Sequence, residues 1–262
     1  MRGNMTPSLA QMRVELGAAM AGAAPGLSTA DQLCAACVAL LGVDGAAISM
    51  VLDGASQGTY GSSSQASRRL DEYQFTFGQG PCLDATTTGV AVHAPDLDTA
   101  DEQRWPMFTD AVLGDGIRAV FALPVRITSA CVGALDLFRA EPGPLAGDEL
   151  AGGLLAAELA SLPLLTLLNE VSEGSDTGGG DDGTATNDDA AAALIEMDRV
   201  EVYQATGVLI AQLDVGPAEA LVRLRAHAIA TGLTASEVAY AILEEGLELE
   251  RDDENGQEGQ RP

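Results

Sequence analysis

Between Ser172 and Asp189 the chain cannot form anything that buries a core. The stretch holds Gly178, Gly179 and Gly180 together with six acids (173, 176, 181, 182, 188 and 189) and no basic residue. A segment so polar and so one-signed has too little apolar surface to offset the entropy of ordering it, and it is expected to stay flexible or extended. It therefore splits the 262 residues into a large N-terminal part and a small C-terminal part, each of which has to find its own core.

The small part has helical periodicity. Val202, Ala205, Leu209 and Leu213 fall on one helix face, in a pattern running from about Ala191 to Leu213. Gly216-Pro217 interrupts it, and Pro217 is placed to be the first residue of a second helix. Leu221, Leu224 and Ala228 make the apolar stripe there, and Gly232 is a natural stop. Thr234 and Glu237 read as a capping box opening a third helix whose buried side is Val238, Ile242 and Leu243. None of the three is stable alone in water, so they must pack on one another or on a partner. The upstream apolar residues Leu194, Ile195 and Met197 could extend the first helix into a dimer seam.

These residues resemble the ANTAR domain, a small helical RNA-binding module of bacterial antitermination regulators. The likeness lies in Arg199, Gln204, Ala205, Gly207 and Leu209, then Glu219, Ala220, Leu224, Arg225 and Ala228, then Val238 and Ala239. It implies binding of paired RNA hairpins that compete with a terminator, usually as a dimer, with Arg199, Gln204, Arg223, Arg225 and His227 as the RNA-contacting set. Arg223 and His227 are four residues apart and share a helix face. Where many members of the family carry Lys before the glycine and Arg soon after it, this chain has Thr206 and Gln212. From Glu196 to Arg251 there are 4 Arg against 10 acids, 4 − 10 = −6. Because RNA affinity rests on neutralising phosphates, such a module binds well only if its guanidinium groups gather on one side. The alternative is a bundle that contacts a protein partner or only dimerises.

The charge of the whole chain, −26, opposes non-specific association with nucleic acid and anionic lipid. All 13 basic residues are Arg, and Ala and Gly are abundant, a coding bias that fits an actinobacterial source. No apolar run is long enough to cross a bilayer. Glu15 interrupts the apolar part of the first 22 residues, leaving no clean signal-peptide core. A soluble cytoplasmic protein is expected. The four cysteines, Cys34, Cys37, Cys82 and Cys131, are too few for a disulfide framework in a chain this long.

The large part alternates helix and strand. Ser8–Met20 and Ser28–Leu41 read as helices, the second burying Leu33, Cys37, Leu40 and Leu41. Ala46–Leu52 and Gln57–Ser62 read as strands, and Arg68–Tyr73 as helical or extended. Leu83–Thr88 reads as a helix, Ala91–His93 as a short strand, and Arg104-Trp105-Pro106 as the start of a helix towards Leu113. Ala119–Val125 and Cys131–Phe138 are the clearest strands, and Gly147–Leu168 is a long apolar helix. The pattern predicts an α+β domain, an antiparallel sheet with helices on one face.

Five pieces in order carry a second resemblance: Gly80-Pro81-Cys82, Pro95-Asp96-Leu97, Arg104-Trp105-Pro106 with Phe108, Gly116-Ile117-Arg118-Ala119, and Gly133-Ala134-Leu135-Asp136-Leu137. Together they look like a GAF domain of the kind that precedes ANTAR. The resemblance implies a six-stranded type of antiparallel sheet with a pocket on one face, in a family whose members bind cyclic nucleotides, tetrapyrroles or other small molecules. The cofactor, if any, stays unknown. The expected organisation is an N-terminal helix over 1–25, a GAF-like sensor over 26–170, the linker over 171–190, an ANTAR-like RNA-binding domain over 191–250 and a disordered tail over 251–262.

Candidate ligand-pocket residues are Cys82, His93, Arg104 and Trp105. Cys82 stands at an expected helix start, where a thiol pKa is lowered, which opens a redox or ligand-converting role at that residue. Against it stands the plain reading of a small buried side chain. Cys34 and Cys37 have the spacing of a metal or redox pair, but no second pair exists and they fall on a buried helix face. No P-loop and no zinc-protease motif occurs, and no catalytic or metal-binding residue is assigned. The expectation is a non-enzymatic regulator in which a sensor domain controls an RNA-binding module.

Overall fold

A computed structural model describes residues 7–22, 27–52, 55–176 and 199–249. The chain divides into two compact units, Met1–Arg199 and Val200–Pro262.

The first unit opens with α1 (Leu9–Ala21), for which Ser8 and Gln11 form a reciprocal capping box. There follow α2 (Leu27–Leu41), β1 (Gly45–Leu52), β2 (Ala55–Ser62), α3 (Gln65–Phe77), α4 (Pro81–Thr88), β3 (Val92–Ala94), α5 (Pro106–Gly114), β4 (Ala119–Ile127), β5 (Ala130–Arg139) and α6 (Gly147–Asp176). Among the described residues the sheet has five strands in the order β2-β1-β5-β4-β3, every neighbouring pair antiparallel.

The alternation of side chains along β5 shows how the unit is layered. Leu135 and Leu137 face one side, in a core with Leu33, Cys37 and Leu41 of α2 and Ala156 and Ala160 of α6. Ala134, Asp136 and Phe138 face the other. Phe138 packs with Leu70 of α3 and with Trp105 and Phe108, and Ala134 with Val51 and Cys82. Helices α2 and α6 thus cover one face, with α1 packed on those two helices. The short helices α3, α4 and α5 lie over the opposite face as well, where short amphipathic stretches gave no such signal.

One open alternative is resolved and one expected boundary is corrected. Residues 68–73, read as helical or extended, lie inside α3, which continues through Phe75 and Phe77 and stops at Gly78 in the left-handed conformation (φ 63). Helix α6 does not end at Leu168 but runs to Asp176, into the first residues assigned to the linker. The rest of that linker, the upstream residues Leu194, Ile195 and Met197, and the C-terminal tail lie outside the described residues.

The second unit is a three-helix bundle: α7 (Val200–Leu213), α8 (Pro217–Thr231) and α9 (Ala235–Glu244). Val202, Ala205, Leu209 and Leu213 are buried on α7. Ala220, Leu224 and Ala228 are buried on α8, so the stripe there starts at Ala220, with the predicted Leu221 only half-buried. On α9 Ala239 joins Val238 and Ile242 in the core. Pro217 occupies the first turn of α8, Gly232 ends it at φ 71, and Thr234 with Glu237 forms the capping box of α9. Among the described residues no single helix is long and apolar enough to cross a membrane.

Candidate functional site

The polar side chains of the first unit concentrate between the sheet and α3–α4. Asp136 interrupts the apolar run of β5 and is completely buried, as are Ser49 of β1 and Asp71 of α3. Gln74, one turn after Asp71, donates through Nε2 to Asp136 Oδ2 at 2.7 Å, and its Oε1 accepts from the backbone N–H of Cys82 at 2.7 Å. Ser49 and Thr59 donate to the two oxygens of Asp71 at 2.6 and 2.8 Å. Three strands (β1, β2 and β5) and two helices (α3 and α4) are thereby tied through side chains that, apart from the half-buried Thr59, are buried. Gly80, at φ 151, makes the approach possible: a Cβ there would stand 2.5 Å from Gln74 Oε1.

Burial pushes the Asp136 carboxyl up to about 8, with the neighbouring Asp71 charge acting in the same direction and the Gln74 hydrogen bond against it. Asp136 Oδ1 has no hydrogen-bond partner among the described residues.

Cys82 sits in the first turn of α4 behind Gly80 and Pro81, but its thiol is not activated. Burial drives its pKa well above the ordinary value, and the Asp136 and Asp71 charges add to that. The expected lowering by the helix N-terminus is overturned, because loss of solvation outweighs a partial dipole charge. Cys34 and Cys37 are likewise buried and raised by burial, Cys37 to about 12.

The other three pocket candidates are joined to α4. Trp105, buried, donates from Nε1 to Asp84 Oδ2 of α4 at 3.0 Å. Arg104 stacks on the Trp105 ring at 4.1 Å, pairs with Glu102 and donates to the carbonyl of His93 at 3.0 Å. The His93 ring meets Phe121 edge-on at 5.8 Å. Trp105, Arg104 and His93 are therefore linked to one another and to Asp84 of α4, whereas Cys82 is buried with Val51 and Ala134 on the inner side of that helix. Asp136, Asp71, Gln74 and Ser49 beneath it were not singled out from the sequence. The available signal was one carboxyl residue inside the apolar run Val132–Phe138.

In the second unit Gln204 is exposed on α7, and Arg223, Arg225 and His227 are half-buried on α8. Arg223 pairs with Glu219 one turn earlier at 2.9 Å. Arg199, the last residue of the first unit, is buried within that unit, with its guanidinium on Asp71 and Glu72 and over the Phe75 ring.

The first unit is thus an antiparallel sheet with a buried polar layer under short helices, an α+β domain, and the second is an all-helical module. The chain belongs to the GAF domain family, whose model matches residues 26–162, and the ANTAR domain model matches residues 190–243. Both are regulatory domains. Similar solved structures include the GAF domain of a phosphoenolpyruvate-protein phosphotransferase from Acinetobacter, 10% identical, covering 64% of this chain and 99% of that one with a TM-score of 0.50. The corresponding domain from Coxiella burnetii is 14% identical, covering 63% of this chain and 97% of that one with a TM-score of 0.50. At such identities the likeness shows the fold alone. No curated protein matches the chain.

Proposed function

We propose that this protein is a transcription antitermination regulator that binds paired RNA hairpins through its C-terminal module, under control of a small molecule or other signal received by the GAF domain. The observation that carries the reading is the presence, in that order in one chain, of matches to a GAF domain and to an ANTAR domain. The RNA-contacting residues are Gln204, Arg223, Arg225 and His227 on α7 and α8. Arg199, the fifth residue of the expected set, is paired with Asp71 and Glu72 of the first unit. The reading includes a homodimer in the cytoplasm and no catalytic step. The pocket is bounded by Cys82, His93, Arg104 and Trp105.

With so few cations among many carboxylates, RNA contact is local and strongly salt-dependent. A gel shift with a two-hairpin RNA at about 50 and about 200 mM salt tests it. A complex at the lower salt that weakens at the higher is expected, and no complex at either rejects the reading.

A second reading rests on a different observation. Tyr203, Val222 and Tyr240 are exposed at 47%, 62% and 59%, and Arg223 is already paired with Glu219. These favour a protein partner or a second copy on the same helices. Arg223→Ala with Arg225→Ala separates the two, since it removes RNA binding and leaves an apolar contact in place.

A further inference from the structure

A buried carboxyl with one oxygen unpartnered by protein groups and a second acid beside it has two poor options. Neutral, it leaves its hydroxyl or carbonyl unsatisfied. Ionised, it is a charge with one donor where a carboxylate wants several. Asp136 is in that position. Its Oδ2 takes the Gln74 amide and its Oδ1 takes nothing among the described residues.

The ionisable groups facing Asp136 can be stated element by element. Helix α3 supplies Asp71, with Gln74 as the polar go-between, and α4 supplies the Cys82 thiol. The strand neighbours opposite Asp136, Ala47 of β1 and Ala122 of β4, carry no charge. The cation in contact with this cluster, Arg199, lies on Asp71 Oδ2.

The same Gln74 side chain that serves Asp136 also holds the backbone of Cys82. Whatever happens to the proton on β5 is therefore felt at the first turn of α4.

We propose that Asp136 is a proton-linked latch of the sensor domain. Neutral, it sits beside the Asp71 charge without repulsion and β5 stays closed on α3 and α4; ionised, burial and the like charge of Asp71 outweigh the stronger bond from Gln74 and free that edge of the layer. The latch acts on the GAF domain alone and does not depend on what the C-terminal module binds.

The chain carries a natural reporter. Its single tryptophan, Trp105, is buried and hydrogen-bonded to Asp84 of α4. Selective excitation of Trp105 in the full-length protein, titrated from about pH 6 to about pH 9 and back, reads the position of α4. The wild type is expected to show a reversible change in emission with its midpoint near 8. Asp136→Asn is expected to abolish that change. Asp71→Asn removes the like charge and is expected to move the midpoint down by about one pH unit. His93, whose carbonyl is bonded to the Arg104 that stacks on Trp105, is present in every variant, so a transition caused by it survives Asp136→Asn.

A flat wild-type profile overturns the proposal, as does a transition that persists in Asp136→Asn. If Asp136→Asn does not fold, the Asp71→Asn midpoint decides: a downward shift supports the latch, and an unchanged or raised midpoint overturns it.

Discussion

Gln74 donates to Asp136 across 62 residues of sequence while the other end of its amide accepts from the backbone of Cys82. One uncharged side chain thus satisfies an acid on β5 and an orphan N–H at the start of α4. Both partners are buried, so nothing replaces it when it is lost. Gln74→Leu fills similar space but leaves the Cys82 N–H and both oxygens of Asp136 without partners. Unsatisfied buried groups of this kind cost roughly 1–3 kcal/mol each, and urea denaturation is expected to show Gln74→Leu destabilised by about 2–4 kcal/mol.

Gly80→Ala attacks the same relay from the backbone. Its φ of 151 disfavours any side chain, and the added Cβ would stand 2.5 Å from Gln74 Oε1. A loss of about 2 kcal/mol is expected from strain and the displaced amide. The Gln74→Leu, Gly80→Ala double variant should fall well short of additivity, because both act on one contact. Full additivity in the same denaturation series counts against the relay.

Asp136 also sets the sign of a pH dependence. In the unfolded chain an Asp releases its proton near about pH 4, whereas in the fold Asp136 holds it up to about 8. Between those values the native state binds the extra proton, so its stability is fully present below about pH 4 and falls as pH rises, by up to about 1.4 kcal/mol per unit. Above about 8 both states are ionised and the contribution levels off. Thermal unfolding at several pH values should therefore show a decline across this range in the wild type and a shallower one in Asp136→Asn. Equal slopes in the two proteins would remove Asp136 as its cause.

Much of the architecture was legible because the elements that carry it are strongly patterned. The nearly continuous apolar runs Ala119–Val125 and Cys131–Phe138 mark β4 and β5, and the Thr234–Glu237 box marks the start of α9. What did not show is the polar layer. Asp71 and Gln74 share a face of α3 only if residues 65–77 are one helix, and the 68–73 stretch alone left helix and extended readings open. Cys82 drew attention for its place at a helix start, but its reactivity depends on burial, which spacing cannot report. Arg199 matched an RNA-binding motif by position, while its ion pairs with Asp71 and Glu72 come from residues far away in the chain.

In the C-terminal module, Thr234→Ala removes the side-chain oxygen that accepts from the Glu237 N–H and leaves only the bond from the backbone N–H of residue 234 to Glu237 Oε2. Capping losses of this type run about 1 kcal/mol. In a bundle of three short helices that is a large share of the stability, and circular dichroism of the full-length protein should show earlier melting of part of the helical signal. Thr234→Ser, which keeps the cap, should melt like the wild type.

We propose that guanidinium groups on α8 hold RNA in spite of the surrounding acids. The most direct test is fluorescence anisotropy of a labelled two-hairpin RNA titrated with the full-length protein and with the Arg223→Ala, Arg225→Ala variant, each at about 50 and about 200 mM salt. Wild-type binding that weakens with salt is expected, with a variant whose affinity at low salt is at least about tenfold lower and whose salt slope is shallower. Equal binding by the two proteins, or none by the wild type at either salt, would contradict it.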